Sequence, residues 1–142
     1  MSDNKNGNKY TFDSFEITKA NSKAFEKAQQ FAKNADSKTL AIFGGKATGK
    51  THLLYSVKNT IERNSPNLKV ILTTTADMRS ALADILNSGG KSEQFRKKYL
   101  QADVLLVDDI QELAGKEAIQ NELILIFNSF YESGKRFMMT SS

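Results

Sequence analysis

A chain of 142 residues, 39% hydrophobic and 25% charged, has the size and balance of one globular domain with a buried core. It contains no cysteine, which excludes disulfides and thiolate metal sites, and no apolar run near the roughly 20 residues that span a bilayer. The net charge of +4 at pH 7 permits a phosphorylated ligand or a nucleic acid as partner without requiring either.

Residues 1–9 are polar, rich in Asn and Lys, and have no apolar stretch of the kind a signal peptide needs. They read as a disordered N-terminal tail ahead of a single domain over 10–142, and a cytoplasmic location fits. Residues 9–19 mix aromatics with turn formers and read as an ordered loop. Asn21 is placed to cap a helix over 22–34, whose Ala24, Phe25, Ala28, Phe31 and Ala32 form one apolar stripe at helical spacing. A short β-type run, 39–43, leads directly into a glycine turn. The next helix, 50–63, carries Leu53, Leu54, Val57 and Ile61 on one side and stops at Asn64, Ser65 and Pro66.

A second strand is predicted over 68–75, rich in β-branched residues. Asp77 then caps a helix to about residue 87, ended by Ser88, Gly89 and Gly90, and Ser92 begins another to about residue 100. The third strand, 103–107, is apolar almost throughout, as expected where both faces are covered. A long helix over 116–133 turns Ile119, Leu123, Ile126, Phe127 and Phe130 inward and stops at Gly134. The fourth strand spans 136–141. Met138 and Met139 lie in it as core residues, while Thr140 and Ser141 read either as polar groups reaching a γ-phosphate or as a frayed terminus. Strands alternating with helices predict an α/β fold of three layers, α/β/α, around a parallel sheet with right-handed crossovers.

The chemistry concentrates in the glycine turn. Gly44, Gly45, Lys46, Ala47, Thr48, Gly49, Lys50 and Thr51 satisfy the pattern G-x-x-x-x-G-K-[ST], between a predicted strand and a predicted helix. There the unpaired backbone N–H groups of the first helical turn and the positive end of its dipole converge on one point. Glycine lets the backbone wrap phosphates without a Cβ in the way. Lys50 supplies a cation for the β- and γ-phosphates, and the Thr51 hydroxyl is a hard oxygen suited to Mg²⁺. ATP or ADP with Mg²⁺ is the expected ligand set. His52, the single histidine, is grouped with this site by position; packing or capping within the helix is the other reading.

Val104, Leu105, Leu106 and Val107 end in Asp108 and Asp109, a strand delivering acids at its C-terminal end. Asp108 is the candidate metal ligand and Asp109 the candidate catalytic acid that polarises an attacking water, with Lys50. Lys91, Arg96, Lys97 and Lys98 form a basic cluster beside Tyr99. They read either as phosphate contacts and base stacking on a single strand or as a solvated helix face. Arg79 is a weaker case of the same kind.

Together these motifs and their flanks resemble the ATPase domain of the bacterial replication initiator DnaA family, a branch of the AAA+ P-loop NTPases. The likeness rests on Tyr10-Thr11-Phe12-Asp13-Ser14-Phe15, the run from Gly44 through Lys50-Thr51-His52-Leu53-Leu54, Glu93 to Tyr99, Asp108-Asp109-Ile110-Gln111, Leu113-Ala114-Gly115-Lys116-Glu117, and Phe127-Asn128. It implies an AAA+ core truncated after the fourth strand, in which the strand of 39–43 lies beside that of 136–141. It also implies that the N-terminal aromatic segment lies against adenine, and that the helices over 77–100 line a channel for single-stranded DNA. The role it implies is ATP-dependent assembly at a replication origin, with self-association or a replication protein as partner. A regulatory or helicase-loader adaptor with little hydrolysis of its own is the alternative. The resemblance has departures: Ala47 stands where the family has glycine, Thr48 where it has an aliphatic, and Ser142 where an Asp is expected. The fifth strand, the arginine finger, the lid and the helix-turn-helix have no counterpart within the 142 residues.

Overall fold

A computed structural model describes residues 10–44 and 49–142. Four parallel strands, β1 (Thr39–Phe43), β2 (Val70–Thr74), β3 (Val104–Asp108) and β4 (Arg136–Ser141), form one sheet in the order β1-β4-β3-β2. The helices are α1 (Ser22–Lys33), α2 (Lys50–Asn64), α3 (Thr75–Asn87), α4 (Ser92–Leu100) and α5 (Glu117–Glu132). A single 3₁₀ turn, Ile110–Leu113, follows β3.

The layers follow from the strand period of two. Val104 and Leu106 of β3 enter one apolar cluster with Phe31 of α1 and Leu53, Leu54, Val57 and Ile61 of α2. Leu105 and Val107 enter a second with Met78 and Leu82 of α3, Phe95 and Tyr99 of α4, and Ile119, Ile126 and Phe130 of α5. Every residue of β3 is buried, which is why its sequence is an unbroken apolar run. The α/β/α fold expected from the sequence is the one observed, including β1 beside β4.

Several boundaries shift for local reasons. Asn21 does not cap α1 through its side chain. Its Oδ1 instead accepts from the Thr18 amide at 2.7 Å and its Nδ2 donates to the Glu16 carbonyl at 3.1 Å, tightening the preceding turn. The cap of α3 is Thr74, whose hydroxyl accepts from the Asp77 amide at 3.1 Å, so the helix begins ahead of Asp77. α4 opens with the Gln94 side chain accepting from the Lys91 amide at 2.9 Å. β2 starts at Val70 rather than 68, because Leu68 is still held in a turn by the Ser65 carbonyl. Asp103 precedes β3, its carboxylate accepting from the Lys69 amide at 2.8 Å, and the strand runs on to include Asp108. α5 ends where predicted, with Gly134 at φ 68 and the Lys135 amide returning to the Phe130 carbonyl.

The N-terminal segment is ordered by aromatic packing on α1 and α2. Phe15 stacks on Phe25 at 5.3 Å between centroids and meets the His52 ring edge-on at 5.0 Å, and Phe12 packs edge-on against Phe25. The Asn59 amide donates to the Tyr10 carbonyl at 2.8 Å. At the other end of the sheet, the buried Arg136 donates to the carbonyls of Ser37, Asn34 and Phe31 while lying over the Phe31 ring. Burial pushes the Arg136 guanidinium below its ordinary pKa, and the carbonyls at the end of α1 are its compensation.

Candidate functional site

The C-terminal ends of β1, β3 and β4 converge on the start of α2, outside the carboxyl edge of the sheet, where open α/β folds place their ligands. β1 ends at Phe43, and the amide of Gly44 just beyond it donates to the Ser141 carbonyl at 3.1 Å. Gly45, Lys46, Ala47 and Thr48 lie outside the described residues. The chain resumes at Gly49 in the left-handed region, φ 82, and α2 begins at Lys50. The Lys50 ammonium, largely buried, donates to the Gly44 carbonyl at 2.8 Å, reaching back to the strand end.

β3 brings its acids to the same place. Asp108 is 3% exposed, and its Oδ2 accepts from the Thr51 hydroxyl at 2.7 Å. Its Oδ1 accepts from the Thr140 hydroxyl on β4. Two hydroxyls from two elements therefore fix the rotamer of one carboxylate. Because Thr51 gives its proton to Asp108, its oxygen lone pairs remain as an acceptor for a hard cation. Asp109 follows in a left-handed conformation, φ 65 and ψ 47, and begins the 3₁₀ turn. Thr140, left open in the sequence between phosphate contact and fraying, is buried and belongs to this acid cluster.

His52 points into the N-terminal aromatic segment. Its Nε2 lies 2.9 Å from the Thr11 carbonyl and 3.3 Å from the Ser14 hydroxyl, and its ring is 4.8 Å from that of Tyr10. The histidine thus fastens residues 10–15 to the helix that begins at Lys50. Position alone gave no sign of this, although the aromatic spacing of Tyr10, Phe12 and Phe15 was visible.

The basic cluster divides. Arg96 pairs with Glu122 of α5 at 2.6 Å, both side chains partly or largely shielded, so it ties α4 to α5. Tyr99 is 2% exposed, and this overturns its reading as a stacking platform. The buried apolar face of α4 claims that ring. Lys91, Lys97 and Lys98 remain exposed. A separate open groove of about 610 Å³ runs between α3 and the start of α5. Leu82, Ala83, Leu86 and Ile119 line it, with Arg79 and Lys116 at its margins.

The sheet order, with strand-end acids set against the helix that follows a glycine turn, defines a P-loop protein of the AAA+ type. Residues 6–142 match the family model described as the bacterial DnaA ATPase domain. The chain belongs to that family. It is 40% identical over 134 residues to the chromosomal replication initiator protein DnaA of Thermotoga petrophila, covering 93% of this chain and 30% of that protein. It superimposes on the crystal structure of domain III of the Thermotoga maritima replication initiation protein DnaA with a TM-score of 0.87 at 40% identity, covering 93% of this chain and 55% of that one. A replication initiator DnaA bound to AMPPCP and single-stranded DNA aligns with a TM-score of 0.85 at 33% identity, covering 94% and 42% of the two chains. The chain thus spans about 30% of the length of the curated relatives it matches.

Proposed function

We propose that this chain binds ATP or ADP with Mg²⁺ at the β1–α2 junction and serves in the initiation of DNA replication at an origin, in the cytoplasm. The observation that carries this reading is the buried Asp108 carboxylate gripped by Thr51 at the start of α2 and Thr140 at the end of β4. Such a cluster has little structural use of its own, since an apolar filling would cost less to bury.

Lys50 would neutralise the β- and γ-phosphates, and the amides of Gly49 and the first turn of α2 would cradle them. Thr51 and Asp108 fit a Mg²⁺ ion by donor chemistry, both being hard oxygens. No group of three or more His, Cys, Asp or Glu able to hold a metal occurs among the described residues. When bound, Mg²⁺ would offset charge on the phosphate oxygens. Asp109 would orient the attacking water, and His52 would support the base side of the pocket by holding Tyr10 to Phe15 against α2.

Single-stranded DNA is the second proposed ligand. The relative captured with AMPPCP and single-stranded DNA supports it, as do the exposed Lys91, Lys97 and Lys98 and the groove margined by Arg79 and Lys116. Arg96 contributes indirectly, by fixing α4. Self-association on such a strand is the assembly this reading predicts. No helix among the described residues is long and apolar enough to cross a membrane.

Calorimetric titration of MgATP into the wild type and Lys50→Ala tests the site. The expected result is a loss of affinity of roughly 100-fold or more in the variant, since a buried charge-assisted contact is removed. Equal binding by both proteins would remove the basis for the proposal.

A further inference from the structure

Asp109 is the one non-glycine residue with positive φ among the described residues. Left-handed backbone is uncommon for residues with a Cβ, although aspartate tolerates it better than most, and it is stabilised where the surroundings hold it. Here both ends of the residue are held. Its amide donates to the Thr140 hydroxyl at 3.2 Å, and its carbonyl accepts from the Thr75 hydroxyl at 2.8 Å. Thr75 and Thr140 are both fully buried and come from different elements, the first turn of α3 and the end of β4. Gln111 adds a weaker hold on the side chain, its Nε2 lying 3.3 Å from Asp109 Oδ1 while its Oε1 accepts from the Ser142 amide.

The geometry has a chemical use. Successive residues of an extended strand face opposite ways, so a residue continuing β3 past Asp108 would present its carboxylate to the other face of the sheet. A left-handed residue breaks that alternation at the strand end. We infer that Thr75 and Thr140 are positioning residues, whose hydroxyls grip the two ends of Asp109 and thereby set where its carboxylate stands relative to Asp108. Thr140 serves both acids. Thr75 touches only the second, and it does so from the helix that forms one wall of the Arg79–Lys116 groove. The inference rests on the reading of Asp109 as the water-orienting acid, but the backbone lock can be tested apart from it.

Isotope-labelled protein without nucleotide reports the backbone at position 109 through its amide-to-Hα coupling and its Cα and Cβ shifts. The wild type and Thr75→Ser should show the left-handed signature, and Thr75→Val and Thr140→Val should lose it while the sheet resonances stay in place. An unchanged signature in both valine variants overturns the lock. Single-turnover hydrolysis with protein in excess then tests its purpose. Thr75→Val should bind MgATP within about threefold of the wild type yet turn it over roughly 10- to 100-fold more slowly, with Thr75→Ser restoring the rate. Equal rates in Thr75→Val and the wild type overturn the positioning role. A wild type that binds no nucleotide, or binds without any turnover, overturns the assignment of Thr75 to catalysis and leaves the lock to be decided by the coupling.

Discussion

Replacing Gly49 with alanine would strain the junction between the glycine turn and α2 in two separable ways. The backbone there has φ 82, which a residue with a Cβ adopts at a cost of about 1–2 kcal/mol. The added Cβ would also stand 2.6 Å from Cε2 and 3.1 Å from Cζ of Phe15. That ring cannot simply swing aside, because Phe25 stacks on it and the His52 ring meets it edge-on, and it is buried. Forcing it out of place costs a further ~1–3 kcal/mol, as overpacking of a tight core does. The sum is about 2–5 kcal/mol, which at roughly 3–4 °C per kcal/mol for a chain of this size lowers the melting temperature by roughly 6–20 °C. Thermal unfolding measures the total, and a double-mutant cycle separates its parts. In a Phe15→Leu background Gly49→Ala should cost only the backbone share, leaving a coupling of about 1–3 kcal/mol. Strictly additive costs, or a variant that melts with the wild type, would refute the steric argument and with it the clasp between the N-terminal segment and the glycine turn.

Arg136→Met should cost about 2–4 kcal/mol in urea unfolding, because three carbonyls lose a charged donor in a buried place; a cost below about 0.5 kcal/mol would contradict that. Arg96→Gln should lower stability by about 1 kcal/mol at low salt, and by less at high salt, since its side chain is only partly shielded. Lys97→Gln with Lys98→Gln should leave the melting temperature unchanged and weaken single-strand binding with a shallower salt dependence, read by fluorescence anisotropy. Burial raises the Tyr99 phenol above its ordinary value near 10.0, outweighing the Thr73 hydrogen bond that lowers it. The folded state therefore keeps the proton that the unfolded chain loses first. Its contribution to stability is full below about pH 10 and is lost as pH climbs toward the folded value. Melting curves between about pH 8 and 11 should fall more steeply for the wild type than for Tyr99→Phe, which has no proton to lose.

Most of the architecture was legible because its signals are local and repeated. The unbroken aliphatic run of β3, the helical stripes of α2 and α5 and the glycine turn between β1 and α2 each declare their own type. The pairing of β1 with β4 is not a local property and came from family resemblance. The candidate site was legible as a list of residue types but not as an arrangement. Nothing in the letters says that Thr51 and Thr140 meet on one carboxylate, or that Asp109 turns left-handed between two threonines. Charge misled most. Arg96 looks like its neighbours Lys97 and Lys98 in sequence, yet Glu122 lies across the helix interface and claims it. Tyr99 is drawn inside by the same helical period that turns Lys97 and Lys98 outward. Asn21 stands at the start of α1 but turns its side chain back to Thr18 and Glu16, and Asp77 lies one turn inside α3 behind the Thr74 cap.

The sheet order bears on how the polypeptide is made. β1 is completed early in synthesis, but the strand that pairs with it is β4, and the contact between Phe31 and Arg136 closes a span of 105 positions. Closing so long a loop is entropically slow and is rewarded only when the far partner exists. On the ribosome, β2 and β3 can join as neighbours while β1 with its glycine turn waits. The hydroxyl of Thr140 then arrives with β4. Asp108 and Asp109 are thus translated well before they are held, and the acid cluster takes shape only as β4 slides between β1 and β3.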